Sequence, residues 1–163
     1  MLDSVHDECG IAAVYRLDES PDSGGEPYEG SVTKLVPDML IDLQNRGQLA
    51  AGLTRYDENA AQLIDTYKQV GSVTDVFHLT HPDPGKFRAI VDEYSGRAAI
   101  GHTRYATCGK EGREYAQPFE RHHGRKWKLF AFCFNGNIAN YAEVRNQLLK
   151  QDKGDYHLAH DTD

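Results

Sequence analysis

Four short segments of this chain concentrate residue types that do chemistry: Glu8-Cys9-Gly10, LQNRGQLAAG (43–52), GHTRYATCG (101–109) and FNGN (134–137). Taken singly, each has an ordinary reading. A free cysteine is among the most buried residue types, Arg104 can be a surface cation, and Asn135-Gly136 is the standard two-residue hairpin turn. The hairpin reading meets an obstacle, because the chain after it, NIANYAEVRNQLL, has helical character and the turn would join a strand to a helix. Backbone N–H groups at such a junction point outward, and an Asn amide beside them can hold a developing oxyanion. Together the segments supply the parts for acyl transfer on an amide. Cys9 is the candidate nucleophile, Asn135 and Gly136 are the candidate oxyanion donors, and Arg104 is a fork for a substrate carboxylate. A general base is missing from this set. His102 could serve, as could His157 or His160 if the C-terminal stretch folds back, which would make a Cys–His arrangement. A base that needs no side chain is the other solution: if Cys9 were the first residue, its own α-amino group, with an unperturbed pKa of roughly 7.7–8, would be poised near neutral pH.

These residues must be positioned by regular elements, which the patterning predicts as follows. Cys9 to Leu17 reads as a buried strand, followed by a turn-rich loop over 18–30. Val32, Leu35, Val36, Met39, Leu40 and Leu43 follow helical spacing, with Gly47 as the stop; Pro37 requires either a first turn near Thr33 or a kink. Two strands (50–56 and 61–68) are joined by the turn Asp57-Glu58-Asn59. A short helix over 73–77, a Pro/Gly loop and a helix over about 86–94 come next, then strands over 98–106 and 126–134. A last helix spans about 141–150, with Asn140 and Glu143 spaced as a capping box. Strands in runs with segregated helices predict stacked sheet and helix layers rather than repeating βαβ units.

Bulk properties narrow the classes. A chain of 163 residues suits one domain, and its 39% hydrophobic and 26% charged residues are those of a soluble protein with no apolar run long enough for a membrane span. Met1 to Glu8 carries three carboxylates and no Lys or Arg, unlike a secretory leader, so a cytoplasmic location is expected. A formal net charge of −7 opposes sequence-independent nucleic-acid binding, and the one dense basic run, RHHGRKWK (121–128), reads as a solvated loop before a strand. Cys9, Cys108 and Cys133 match no zinc or disulfide pattern; Cys108 and Cys133 read as small apolar residues. His157, His160, Asp161 and Asp163 have ligand chemistry but lack a third ordered segment to complete a zinc shell. Tyr105 and Tyr141 read as packing residues.

The set Cys9-Gly10-Ile11, Leu43-Gln44-Asn45-Arg46-Gly47-Gln48, Gly101-His102-Thr103-Arg104-Tyr105-Ala106-Thr107, Ala116-Gln117-Pro118-Phe119 and Asn135-Gly136-Asn137 resembles the class II glutamine amidotransferases. These are N-terminal nucleophile hydrolases, and the resemblance is to the amidophosphoribosyltransferase branch. It covers residues 9–163 and implies an α+β fold, a four-layer αββα sandwich, cut short at the C-terminal end. Residues 1–8 would be a propeptide and 9–163 the amidotransferase domain. The implied activity is hydrolysis of glutamine to glutamate, with ammonia passed to an acceptor in a second domain, phosphoribosyl pyrophosphate in purine biosynthesis. By motif position Cys9 would be the nucleophile and its freed amine the base. Arg104 would bind the glutamine α-carboxylate with Thr107 beside it, Asn135 and Gly136 would form the oxyanion hole, Asp161 would hold the α-amino group, and Arg46 would support the nucleophile loop. His160-Asp161-Thr162-Asp163 stands where the family usually has Ser-Asp-Ser/Thr-Glu, and Asn45 where it usually has His. The resemblance implies no cofactor in this segment, any Mg2+ belonging to the absent synthase domain. It also implies a homo-oligomer as the full-length protein. The RGQ and RYAT motifs set the chain apart from the sugar-phosphate aminotransferase branch, which usually has RGY and RWAT. A glutamate synthase type of glutaminase, or a non-catalytic regulatory domain of the same fold, are the other readings.

Overall fold

The computed structural model describes residues 9–17, 30–46, 48–105, 112–136 and 138–150. Its centre is a four-stranded antiparallel sheet of β1 (Gly10–Tyr15), β2 (Ala50–Tyr56), β3 (Ile64–Val70) and β4 (Ala98–Arg104), in the order β1-β4-β2-β3. Strand pairing brings residues far apart in sequence to one level: Gly10 faces Thr103, Ile11 faces His102, and Gly52 faces His102 from the other side.

One face of this sheet is apolar because side chains alternate along each strand. Ala12, Ala51, Leu53 and Ala99 form that face and pack beneath Val36 and Leu40 of α1 (Leu35–Asp42), Val73 and Val76 of α2 (Val73–Val76), and Ile90 of α3 (Gly85–Glu93). Val36 and Leu40, four residues apart on α1, are both fully buried, which is the helical stripe expected from the sequence. Pro37 is accommodated without a break because it lies in the first turn, where N–H groups have no intrahelical acceptor. A short 3-10 turn, Val32–Lys34, precedes the helix, and the Ser31 hydroxyl accepts a 3.3 Å hydrogen bond from Thr33 N. The helix ends at Asp42 and a second 3-10 turn, Gln44–Arg46, follows it, so α1 is shorter than the spacing predicts.

The opposite face carries the second sheet, a pair of three-residue strands, β5 (Phe119–Arg121) and β6 (Phe130–Phe132). Two expectations are corrected here. The strand expected over 126–134 is only β6, because Lys126–Lys128 forms a 3-10 turn and Trp127 turns outward at 73% exposure between Arg125 and Lys128. Its partner β5 is not visible in the sequence pattern. The strand expected over 61–68 begins instead at Ile64, because Tyr56 pairs with Ile64 and Asp57 closes the loop with Asn59 N 2.9 Å from its carboxylate. Helix α4 (Tyr141–Lys150) closes the described chain and buries none of its residues. The fold is a mixed helix-and-sheet arrangement, with helices α1, α2 and α3 on one face of the four-stranded sheet and the β5–β6 pair on the other. No helix of the described residues is long and apolar enough to cross a membrane.

Candidate active site

The site forms on the sheet face away from α1, at the end where β1 begins and β4 ends. Antiparallel pairing sets this geometry: Gly10 lies opposite Thr103, so one further step brings Cys9 alongside Arg104. Alternation puts His102 and Arg104 on the same face, and both are at most 1% exposed. Gly10 is needed beside the cysteine, because a Cβ there would stand 2.8 Å from both Leu43 Cβ and Thr103 Cγ2. Without that close approach the end of α1 could not seat beneath the start of β1.

Cys9 is buried as a free thiol. Its Sγ lies 3.3 Å from the carbonyl oxygen of Tyr105, to which it can donate, and 3.4 Å from the Tyr105 N–H, which donates to sulfur. Asn135 Nδ2 donates a 2.6 Å hydrogen bond to the Cys9 carbonyl oxygen, across 126 residues of sequence. Gly136 follows at the junction between β6 and α4. The strand-to-helix setting predicted for Asn135-Gly136 is therefore what the chain adopts, and it brings this pair to the cysteine.

Arg104 is buried, with its guanidinium carbon 5.8 Å from the Tyr115 ring centroid. A cation this deep needs compensating partners or a ligand anion, since removing charge from water is costly. His102 behaves differently from the base considered above. Burial, against an upward pull from the Phe134 main chain and with the Arg104 charge adding to it, lowers its pKa to about 4. Neither ring nitrogen has a partner at hydrogen-bonding geometry among the described residues. It is a neutral imidazole and is not bonded to Cys9. Cys133 is no rival nucleophile, because burial pushes its thiol up to about 12.

The structure thus joins Asn135 to Cys9 by a hydrogen bond, with Gly136 next in the chain and Arg104 across from Cys9 at the end of β4. Thr107, Asp161, His157, His160, Cys108 and the whole of residues 1–8 lie outside the described residues, as does the side chain of Arg46. Among the described residues no group of three or more His, Cys, Asp or Glu side chains could hold a metal ion. A depression of about 560 Å³ lined by Gln62, His122, His123, Lys126 and Leu129 contains none of the candidate site residues. Three contributors escaped sequence reading. The Tyr105 main chain meets the sulfur, but a backbone role leaves no trace in residue type. Tyr115 stacks on Arg104 from a 3-10 turn that the pattern did not predict. Gln117, whose motif was visible, has a fully engaged side chain: Phe134 N donates to its Oε1 at 2.7 Å and its Nε2 donates to Phe134 O at 3.2 Å.

The chain is 34% identical over 152 residues to amidophosphoribosyltransferase of Mus musculus, covering 92% of this chain and 26% of that protein. It is also 34% identical over 149 residues to the amidophosphoribosyltransferase of Methanothermobacter thermautotrophicus, covering 88% and 26% respectively. Among solved structures, it superposes on glutamine phosphoribosylpyrophosphate amidotransferase from B. subtilis, in complex with ADP and GMP. The TM-score is 0.61 at 28% identity, over 82% of this chain and 25% of that one. No protein-family model matches the chain. The chain spans about a quarter of the length of the curated relatives it matches.

The mixed helix-and-sheet fold matches that of the phosphoribosylpyrophosphate amidotransferase glutaminase domain, the N-terminal nucleophile type. Over about nine-tenths of its length the chain is similar to the amidophosphoribosyltransferases, consistent with their glutaminase domain.

Proposed function

We propose that this domain hydrolyses glutamine and supplies the ammonia to an acceptor bound in a second domain, phosphoribosyl pyrophosphate in purine biosynthesis. The observation that carries the reading is the contact of Asn135 Nδ2 with the Cys9 carbonyl, 2.6 Å, which sets an amide donor within one residue's reach of the thiol. In this reading Cys9 Sγ attacks the side-chain carbonyl carbon of glutamine. Its proton passes to the α-amine that cutting of the Glu8–Cys9 bond would free, a group of roughly matched pKa. The oxyanion that forms takes hydrogen bonds from Asn135 Nδ2 and the Gly136 N–H, the term that usually dominates acyl-transfer catalysis. Collapse of the tetrahedral adduct expels ammonia, which carries off the proton, and leaves a thioester. Water then attacks the thioester, glutamate departs and the thiol is restored.

Arg104 takes the glutamine α-carboxylate in this reading, as a bidentate fork whose burial strengthens the pairing. Thr107 lies beside it in the motif, Asp161 takes the α-amino group, and Arg46 supports the loop of the nucleophile. Residues 1–8 act as a propeptide. No cofactor takes part in this segment, and any magnesium accompanies the pyrophosphate acceptor in the other domain. A cytoplasmic location, an oligomeric full-length protein, and no nucleic-acid or membrane partner complete the reading. The names of the relatives favour the phosphoribosyl acceptor over a sugar phosphate or 2-oxoglutarate.

Measuring glutamate release from glutamine by the full-length protein, with and without phosphoribosyl pyrophosphate, tests both parts. Release that rises with the pyrophosphate is the expected outcome. Release without any such rise removes the acceptor, and no release under either condition removes the glutaminase.

A further inference from the structure

Between the two sheets lies a brace that connects the far edge of the molecule to the oxyanion donors. It starts on β3, an edge strand, where Lys68 Nζ donates to the carbonyl oxygens of Ala116 at 2.6 Å and Pro118 at 3.2 Å. These two carbonyls flank Gln117, so one ammonium fixes the main chain on both sides of it. The segment lies flat against β2 because position 52 is glycine: a Cβ there would stand 2.6 Å from the Gln117 carbonyl oxygen. Gln117 itself is 2% exposed and bonds both main-chain groups of Phe134 through its amide, as a missing strand partner would. Phe134 immediately precedes Asn135, whose amide reaches the Cys9 carbonyl. Phe134 also lies beyond the last residue of β6, so the β5–β6 ladder does not fix its main chain.

We propose that Gln117, anchored by Lys68, is the positioning residue that sets the Asn135-Gly136 oxyanion donors over Cys9. The inference rests on the reading of the domain as a glutaminase. Its physical basis is that oxyanion stabilisation depends steeply on donor placement, and a donor on irregular chain needs external supports to hold it to a fraction of an ångström. A two-point amide clamp removes both the slide and the twist of Phe134 that would swing Asn135 away. Gln117 touches neither thiol nor substrate in this arrangement and acts only through the main chain it holds.

Two rates on the full-length protein with Cys9 at its amino terminus separate positioning from general support. Glutamine hydrolysis passes through an oxyanion, whereas alkylation of Cys9 by iodoacetamide, followed on the Cys9 peptide by mass spectrometry, is a displacement at carbon with none. Gln117→Met keeps the length and volume of the side chain and removes the amide. It is expected to lower kcat for glutamine about tenfold to a hundredfold. The glutamine KM and the Cys9 alkylation rate should stay within about twofold of wild type, since neither depends on the donors. Should that variant not fold, Lys68→Met releases the carbonyls on either side of Gln117 and is expected to give the same pattern. Hydrolysis undiminished in a folded variant, or hydrolysis and alkylation falling by one common factor, overturns the brace. An inactive wild type removes the reaction and the brace with it, while an active wild type with an undiminished variant removes the brace alone.

Discussion

At the scale of single residues, the charge state of His102 decides between two kinds of base. A general base works best with a pKa near the operating pH, and an imidazole held at about 4 by burial is a poor acceptor at neutrality. It also makes no hydrogen bond to the thiol it would have to deprotonate. The same depression has a stability consequence whose sign is fixed. Unfolding exposes an imidazole of ordinary pKa 6.5, so below that value the unfolded chain binds a proton that the folded chain refuses. The neutral His102 contribution is therefore fully present above pH 6.5 and is lost as pH falls toward 4. His102→Gln is expected to flatten this dependence, with the drop in unfolding free energy between pH 7 and pH 4.5 smaller by about 2 kcal/mol than in wild type. Urea titrations of both proteins at the two pH values check it. An unchanged drop would mean that His102 is protonated in the folded protein, and the case for an amine base over a Cys–His pair would lose its main support.

Elements carry the next level of argument, because the site is only as well placed as the sheet that bears it. Helix α1 seals the face of β1 and β4 opposite to Cys9 and Arg104, through Leu40 and Val36. Leu40→Ala should cost about 2–5 kcal/mol, the usual range for emptying a fully buried leucine site, whereas Met39→Ala, at a position already 37% exposed, should cost under about 1 kcal/mol. Denaturant midpoints of the two variants test the contrast, and equal losses would mean that the helix is docked otherwise. This helix, and β2, α2 and α3, were legible because a periodic apolar stripe or a short apolar run is a local signal that burial enforces. The pair β5–β6 was not legible for an equally physical reason. Three-residue strands gain their stability from a partner across the ladder, here Phe119 against Phe132 with ring centroids 5.7 Å apart, and nothing local marks either one. The candidate site followed the same rule. Cys9, Arg104, Asn135 and Gly136 were singled out only as a set, since each alone has an ordinary reading and the types together fit acyl transfer. The Tyr105 main chain and the grip of Gln117 on Phe134 depend on tertiary contacts between segments 17 or 96 residues apart.

For the molecule as a whole, the decisive variable is which atom precedes Cys9. In an intact chain its nitrogen is an amide, whose lone pair is delocalised into the Glu8 carbonyl and cannot take a proton at neutral pH. None of the described side chains near the sulfur replaces it: Arg104 is always charged, His102 is held neutral with a pKa too low to help, and Asn135 has no proton affinity to offer. Main-chain groups of Tyr105 hydrogen-bond the sulfur; they can orient a thiol but cannot accept its proton for catalysis. Cutting the Glu8–Cys9 bond would supply an amine of pKa roughly 7.7–8 on the same residue as the nucleophile. Turnover should therefore track the fraction of chains whose intact mass begins at Cys9, and a preparation that retains Glu8 should be close to inactive as a glutaminase. Its pH profile, once cut, should rise through that same interval and level off above it, as expected when the base must be unprotonated. Full turnover from chains that keep Met1 to Glu8 would show that the proton goes elsewhere, and would direct the search for a base to the residues after Lys150, where His157 and His160 stand.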